Sequence, residues 1–497
     1  MQLETMPMTV IGIIILVAIG ISVIVKKFGQ NPVLGYILAG FILGPFLLGY
    51  LNPEDALVAG FGELGLFILL FYLGLELSLK DFLKAGSASF GLALVDMALS
   101  AGLGMLIMFT LGYTLITSII IGFMLFCTST AVVAKFAIDR GLLKDPPTQL
   151  AISILILQDF LGILLLVFIT QMSEAGAGIN LALTALVFAV SAFFAIHYLS
   201  QRVGNWLIKN GYGHTEVTLY ALGVGLLVST VGVLLGLSSA LGAYFAGFAL
   251  AETPSGEKIK RDVNFMRDFF LVFFFVVFGT TIFYDSAAGA VAIPALQELL
   301  LLAGIALLLV LVALASHSIV AAILGPLFGL SKHDSSATAI LLLPLGEFVV
   351  IIATVSATVL PAAEGSIVSA LAFLLIAASV IIFQPLYDRV ELHRRAMAHI
   401  PEFFKLKRAE SGLKQHTPYT VSLLRGFALN VFVLLCFAWM TFLLYEQLPR
   451  LGVPIIYSRE ATAVLAFAFF AALPFTRAVS AAGKLLKHAV HGRVGLA

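Results

Sequence analysis

The sequence predicts an all-α polytopic membrane protein: about thirteen spanning helices in an inverted repeat, with about two more spans near the C-terminal end. Three observations carry this. Of the 497 residues, 61% are hydrophobic and only 11% charged, with a mean hydropathy of +1.09, where a soluble domain is about half apolar and a quarter charged. Apolar runs of roughly 20 residues, the length that crosses a bilayer, recur along most of the chain. Lys and Arg fall on alternate loops.

Taken in order, the spans are read near 8–25, 32–51, 57–77, 86–111, 114–135, 148–170 and 179–201, then 215–235, 237–251, 266–284, 293–325, 337–360 and 364–386. The first run, MTVIGIIILVAIGISVIV, lacks a basic n-region and a cleavage site, so it reads as a retained helix. A charged segment, YDRVELHRRAMAHIPEFFKLKRAESGLKQ, follows the thirteenth span. Two further spans lie near 425–446 and 461–479. The domain reading is therefore a transmembrane domain over 1–387, with repeats at about 8–170 and 215–386. A basic cytoplasmic linker over 388–422 and a two-span tail over 423–497 complete it. The linker reads as an interfacial helix on anionic lipid or as a solvated connection.

Loops that follow odd-numbered spans hold Lys26, Lys27, Lys80, Lys84, Arg140, Lys144, Arg202, Lys209, Lys258, Lys260, Arg261, Arg267 and Lys332. The intervening loops of the first thirteen spans hold none. Basic loops are cytoplasmic, so the N-terminus is expected outside a cell (inner) membrane and the C-terminus inside. Cys127 and Cys436 both lie in apolar runs, which leaves no disulfide framework and no metal-binding Cys/His spacing. No cofactor and no resident metal are expected.

The seventh span separates two six-span units, which makes them inverted. Inverted repeats with helices broken at the midplane are a transporter design. Each unit has a candidate break: LFCTSTAVV in span 5, and LLLPLGEFVV in span 12, where Pro344 and Gly346 interrupt the run. Pro lacks an N–H and clashes within a helix. The freed carbonyls and helix ends must face protein or a wet cavity, where they can coordinate a cation.

Asp159 sits near the middle of span 6, where an Asp costs roughly 3 kcal/mol on insertion scales and defaults to a functional role. Burial disfavours its charge, so it can hold a proton or a cation but not both well. Gln158 either orients Asp159 or makes a structural bond between helices. Thr128, Ser129 and Thr130 offer three hydroxyls at the first break, as cation ligands or as helix-packing surface. Glu347 reads as a pairing or structural acid ahead of a direct ligand. His317, deep in span 11, can titrate near neutral pH. Asp96 is equally deep and has no assigned role.

Six segments stand in one order, and the third, fourth and sixth hold Thr128 to Thr130, Gln158 with Asp159, and Glu347: NPVLGYILAGFILGP, ELGLFILLFYLGLEL, TSTAVVAKFAIDRGLL, LILQDFLGILLLV, GLSSALGAYFAGFALAET and LPLGEFVVI. Together they resemble the monovalent cation:proton antiporter-2 superfamily, especially the membrane domain of Kef-type potassium efflux systems, over residues 8–388. The resemblance implies an antiporter-like inverted-repeat fold and a homodimer, with spans 4–6 and 11–13 as the moving core. It also implies K+/H+ exchange, with Asp159, Gln158, Thr128, Ser129 and Thr130 as ion- and proton-binding residues and Glu347 and His317 as supporting ones; a single carboxylate trading one cation for one proton makes that exchange electroneutral. His317 stands where many relatives carry a Lys or Arg. No G-x-G-x-x-G follows residue 388, so no nucleotide-binding domain, and no nucleic-acid partner, is expected. The other readings are Na+/H+ exchange on the same fold, a cation channel, and a membrane scaffold that does not transport. None of them is an enzyme.

Overall fold

In the computed structural model, residues 7–27, 31–76, 86–171, 178–210, 213–285, 289–291, 295–325, 331–357, 360–397 and 465–480 are described, with Asn430 and Lys484. The helices are α1 (Pro7–Lys27), α2 (Pro32–Leu43), α3 (Ala56–Glu76), α4 (Gly86–Thr110), α5 (Leu115–Met124), α6 (Thr130–Asp139), α7 (Pro146–Gln171), α8 (Gly178–Lys209) and α9 (His214–Leu234). They continue as α10 (Ser239–Ala251), α11 (Gly256–Thr281), α12 (Leu296–Leu324), α13 (Lys332–Leu341), α14 (Glu347–Ala357), α15 (Ala362–Tyr387) and α16 (Val390–Met397), with α17 at Leu465–Ser480. A two-residue antiparallel ribbon, Tyr284–Asp285 with Ala290–Val291, joins α11 to α12. Eight described helices are long and apolar enough to cross a membrane, and α2, α5, α10, α14 and α17 are shorter apolar helices.

Several boundaries differ from the sequence reading. Spans 5 and 12 are each two half-helices. Lys135, read as the end of span 5, lies inside α6. Span 10 starts at Gly256, so Lys258, Lys260, Arg261 and Arg267 ride on the helix and not on a loop. Charged residues suppress the apolar signal there, while nothing in the backbone stops the helix. The span near 425–446, Asn430 apart, and Cys436 lie outside the described residues, as does most of the linker.

Contacts divide the chain into two units. The first holds α1, α2, the first part of α3, α4 to α7 and residues 265–397. The second holds the end of α3, α8 to α10, the start of α11 and α17. Within the first unit, one buried apolar cluster is drawn from α4, α6, α7, α12, α13 and α15, with Leu92, Val133, Leu155, Val320, Ile340 and Phe383 among its members. A second cluster joins α1, α2, α3 and α11 through Ile14, Ala39, Val58 and Phe273.

In lipid there is little hydrophobic drive between helices, so small residues that let backbones touch do the packing. A Cβ on Gly35 would lie 2.5 Å from Ser22 Cα, and one on Gly40 would overlap the carbonyl of Val276. Within the second unit, a Cβ on Gly242 would lie 2.5 Å from Ser229 Cα, and one on Gly247 would overlap the carbonyl of Phe71. The pattern extends further. Gly279 meets the Ile37 carbonyl as Gly74 meets that of Tyr244. Asn31 caps α2 through Val33 N–H as Ser238 caps α10 through Leu241 N–H. The two stretches read GYILAGFIL and GAYFAGFAL. Two separate parts of the chain thus build the same contacts residue by residue.

The basic segment begins as α16, which packs on α12 and α13. His393 contacts the Ser336 hydroxyl through Nδ1 at 2.6 Å and the Ser318 hydroxyl through Nε2 at 3.0 Å, and Met397 is buried. Arg140, at the end of α6, pairs with Asp388, at the end of α15, at 3.0 Å. Burial pushes the His393 imidazole below its ordinary value of 6.5. A lowered value means the docked helix prefers the neutral ring. Its contribution is complete above the unfolded value and is lost as pH falls below that value and through the lower folded one. Amide exchange over 390–397, corrected for intrinsic rate, should therefore accelerate between pH 8 and pH 5.5, and His393→Gln should flatten that dependence.

Candidate ion-binding site

The two broken spans meet at their breaks. Pro344 and Gly346 stop the run between α13 and α14, as composition dictates. No proline stops the run between α5 and α6. There the hydroxyl side chains offer the backbone an alternative to the helix, and Ser129 accepts from Val132 N–H as the cap of α6. The stretches 125–129 and 342–346 then run antiparallel. Ser129 N–H donates to the Pro344 carbonyl at 2.7 Å, and Gly346 N–H donates to the Cys127 carbonyl at 3.0 Å, around a bridge between Thr128 and Leu345. Leu345 N–H donates to Ser379 Oγ on α15 at 3.0 Å. The backbone groups released by the breaks thus find partners inside the protein.

Four half-helix ends converge here. The N-termini of α6 and α14 bring positive dipole ends, and the C-termini of α5 and α13 bring negative ones. Glu347 is the first residue of α14 and sets its carboxylate at one positive end, half-buried. Gly346 must lack a side chain, because a Cβ would lie 2.8 Å from Ser129 Cα.

On α7, Gln158 and Asp159 both face the first break. Thr130 Oγ1 donates to Asp159 Oδ2 at 2.8 Å, and Thr128 Oγ1 donates to Gln158 Oε1 at 2.5 Å. Consecutive α7 residues therefore receive the hydroxyls that flank Ser129. Asp159 is partly accessible, whereas Gln158 and Thr128 are 2% exposed. A carboxylate, hydroxyl oxygens and nearby main-chain carbonyls make a hard-oxygen set suited to an alkali cation. Among the described residues no group of three or more His, Cys, Asp or Glu could hold a resident metal, and Cys127 is a free thiol.

The geometry redistributes the other candidates. Ser129 is engaged as a helix cap. His317 pairs with neither Gln158 nor Asp159. Its Nδ1 lies 2.7 Å from Asp96 Oδ1, with both residues wholly buried. Gln158 Nε2 donates to Asp96 Oδ2 at 2.9 Å, and the Ser100 and Ser316 hydroxyls meet at 2.7 Å one turn away. Asp96 is the residue sequence reasoning left without a role. Its depth in span 4 carried the same signal as that of Asp159, but its partner lies on α12, far along the chain. Removing one member leaves the other buried without its hydrogen bond, which typically costs about 1–3 kcal/mol.

A cavity of about 440 Å³ opens beside the first break. Lys26 and Asn31 line one wall, Ala131, Lys135 and Asp139 on α6 another, and Gln384 on α15 a third. Ala131 is the neighbour of Thr130, so the cavity reaches the helix turn that carries the Asp159 contact. Lys26, Lys135 and Asp139 are the charged residues of its lining.

Residues 12–388 match the family described as "Sodium/hydrogen exchanger, transmembrane". The putative cation/proton antiporter YbaL of Escherichia coli (strain K12) is 31% identical over 391 residues, 76% of this chain and 67% of that protein. The ammonium/H(+) antiporter subunit AmhT of Alkalihalophilus pseudofirmus is 27% identical over 82% of this chain and 97% of its own length. The glutathione-regulated potassium-efflux protein KefC of Salmonella paratyphi B is 30% identical over 56% of this chain, which spans 45% of KefC. In fold, the chain is similar to the sodium proton antiporter MjNhaP1 of Methanocaldococcus jannaschii. The TM-score is 0.55 at 16% identity, over 79% of this chain and 99% of that one.

Because a methyl group has no room at the crossing, Gly346→Ala should lower the unfolding temperature of detergent-solubilised protein, at about 1–3 kcal/mol for overpacking. Gly304→Ala, on α12 with nothing within 4 Å of the new carbon, should leave it unchanged. Equal melting of the two variants would show that the breaks do not touch as described.

Proposed function

The chain belongs to the sodium/hydrogen exchanger transmembrane family, of the cation:proton antiporter-2 type, and from that premise we propose that it exchanges one monovalent cation, K+ foremost, for one proton at Asp159. It is a multi-pass membrane cation/proton antiporter and not an enzyme. Its transported substrates are a monovalent cation and H+. The finer reading concerns which cation, which residues and what stoichiometry.

The observation that carries it is the placement of Asp159 beside the crossing, with Thr130 donating to one oxygen and a cavity reaching the adjacent turn. In one facing state the carboxylate holds a cation, together with oxygens of Thr128, Thr130 and the break carbonyls. In the other it holds a proton. A single carboxylate cannot hold both well, so cation release and protonation are linked. Gln158 is neutral, so the pair on α7 that receives the break hydroxyls carries a single acid, which argues for electroneutral one-for-one exchange. Glu347 offsets the dipole of α14 and is a supporting residue. Relatives named for potassium efflux and for ammonium antiport favour a large, weakly hydrated cation over Na+.

We read the membrane domain as thirteen spans in two inverted repeats, followed by two further spans. The matched contacts of α1 and α2 with those of α9 and α10 support this, as does the reciprocal pairing of the two breaks. The core formed by α4–α7 and α12–α15 shifts against the other helices, which form the contact surface of a homodimer in the cell membrane. The N-terminus lies outside. The cavity lined by Lys26 and Lys135 is then the cytoplasmic approach.

Purified protein in liposomes, with proton flux followed by a trapped dye, tests this. Outward K+ gradients should drive H+ uptake, with Rb+ and NH4+ competing and Na+ weaker. Asp159→Asn should fall to the rate of protein-free vesicles, and clamping the membrane potential should leave the wild-type rate unchanged. Exchange that persists in Asp159→Asn would remove the site, and a steep voltage dependence would remove the stoichiometry. A folded wild type without flux would point to a scaffold.

A further inference from the structure

The hydrogen-bond chain behind the exchange site has a direction. Asp96, Gln158 and Thr128 form an unbroken series, each at most 2% exposed, with His317 closing one end. Asp96 Oδ2 meets the amide nitrogen of Gln158, so at that atom the carboxyl accepts. This holds whether the proton shared with His317 lies on the ring or on Oδ1, because Oδ1 is the atom facing His317. Gln158 is thereby turned with its NH2 towards Asp96 and its carbonyl towards Thr128. A carbonyl cannot donate, so the Thr128 hydroxyl must. Its hydrogen is committed to Gln158, and only its lone pairs remain for other partners.

Thr130, two residues on, is in the same position: its hydrogen is committed to Asp159. Both hydroxyls flanking Ser129 thus have acceptor capacity alone to offer at the crossing. A hydroxyl free to rotate would instead point its hydrogen at a cation part of the time, and in a poorly solvated site that opposition is strong. Without an acceptor at position 96, the Gln158 amide can turn over. Its NH2 would then face Thr128 and release the hydroxyl to donate elsewhere.

We infer that Asp96 is a positioning residue of the ion site: acting through Gln158, it locks the Thr128 hydroxyl as an acceptor, so that this oxygen serves as a ligand for a dehydrated monovalent cation. The inference rests on the reading that exchange occurs at Asp159 beside the crossing. It assigns the Asp96–His317 pair a task distinct from carrying the exchanged proton. His317 holds the second oxygen of Asp96, and its Nε2 has no hydrogen-bond partner among the described residues. The pair therefore stands at the end of the series among the described residues.

The test separates polarity from charge. Liposome flux is measured against K+ concentration for Asp96→Leu, Asp96→Asn, Thr128→Val and Thr128→Ser. Asp96→Leu removes the acceptor and should raise the KM for K+ on the order of tenfold, with kcat changed far less. Asp96→Asn keeps an acceptor oxygen for Gln158 and should stay within about threefold of wild type. Thr128→Val should match Asp96→Leu, Thr128→Ser, which keeps the hydroxyl, should lose less than Thr128→Val, and the two losses should not add in the double variant. If Asp96→Asn is as damaged as Asp96→Leu, the charge matters and the inference is overturned. It is also overturned if folded Asp96→Leu keeps its KM. Should Asp96→Leu fail to fold, an unchanged KM in Thr128→Val overturns it instead. Asp159→Asn, assayed alongside, reports separately on the exchange site: flux there removes the premise, whatever the Asp96 series does.

Discussion

Everything at the candidate site depends on how two interrupted helices satisfy their own backbones. A break inside a membrane leaves N–H and C=O groups with no water to turn to, at several kilocalories per mole for each group left alone. Here the breaks answer each other. Ser129 N–H reaches the Pro344 carbonyl, Gly346 N–H reaches the Cys127 carbonyl, and Ser379 takes the remaining Leu345 N–H. This pairing brings α6 and α14 together by their positive ends and leaves α7 alongside with Gln158 and Asp159. Without it, Asp159 would be an acid in an apolar helix; with it, the acid stands beside hydroxyls and helix ends.

The polar residues beyond the crossing form a second layer with the same logic. Buried hydrogen-bonding groups are tolerable when each has its complement. Asp96 gives one oxygen to His317 and one to Gln158, and Gln158 gives its carbonyl to Thr128. The series ties α4, α7 and α12 to the first break through side chains, while the apolar cluster around Leu155 and Ile340 does so by packing. The small-residue contacts of α1, α2 and α11 belong to a separate cluster that contains none of these polar groups.

Much of the fold is legible in the chain because a bilayer imposes length and polarity so strictly. The spans, the break at Pro344 and Gly346, and the anomaly of Asp159 all follow from local composition. The stretches GYILAGFIL and GAYFAGFAL are also visible as similar strings, though only the contacts of Gly35 with Ser22 and Gly242 with Ser229 give the likeness a structural meaning. The start of α11 was missed because Lys258, Lys260 and Arg261 break the apolar run without breaking the helix. The pairing of His317 was out of reach. Its depth was readable, but the identity of its partner depends on which face of α12 meets which face of α4.

By itself, then, the sequence determined the class of the protein, the approximate positions of its helices and the residues whose burial needs a reason. Those are properties of single segments in a fixed solvent, and hydropathy, proline and a misplaced charge suffice to read them. The tertiary structure decided which of those residues act together. Thr128 serves Gln158, Thr130 serves Asp159, Ser129 is a cap, and Asp96 takes His317 away from Asp159. Such choices turn on rotations of packed helices by a fraction of a turn and on hydrogen-bond directions across spans far apart in the chain, and no local pattern encodes either.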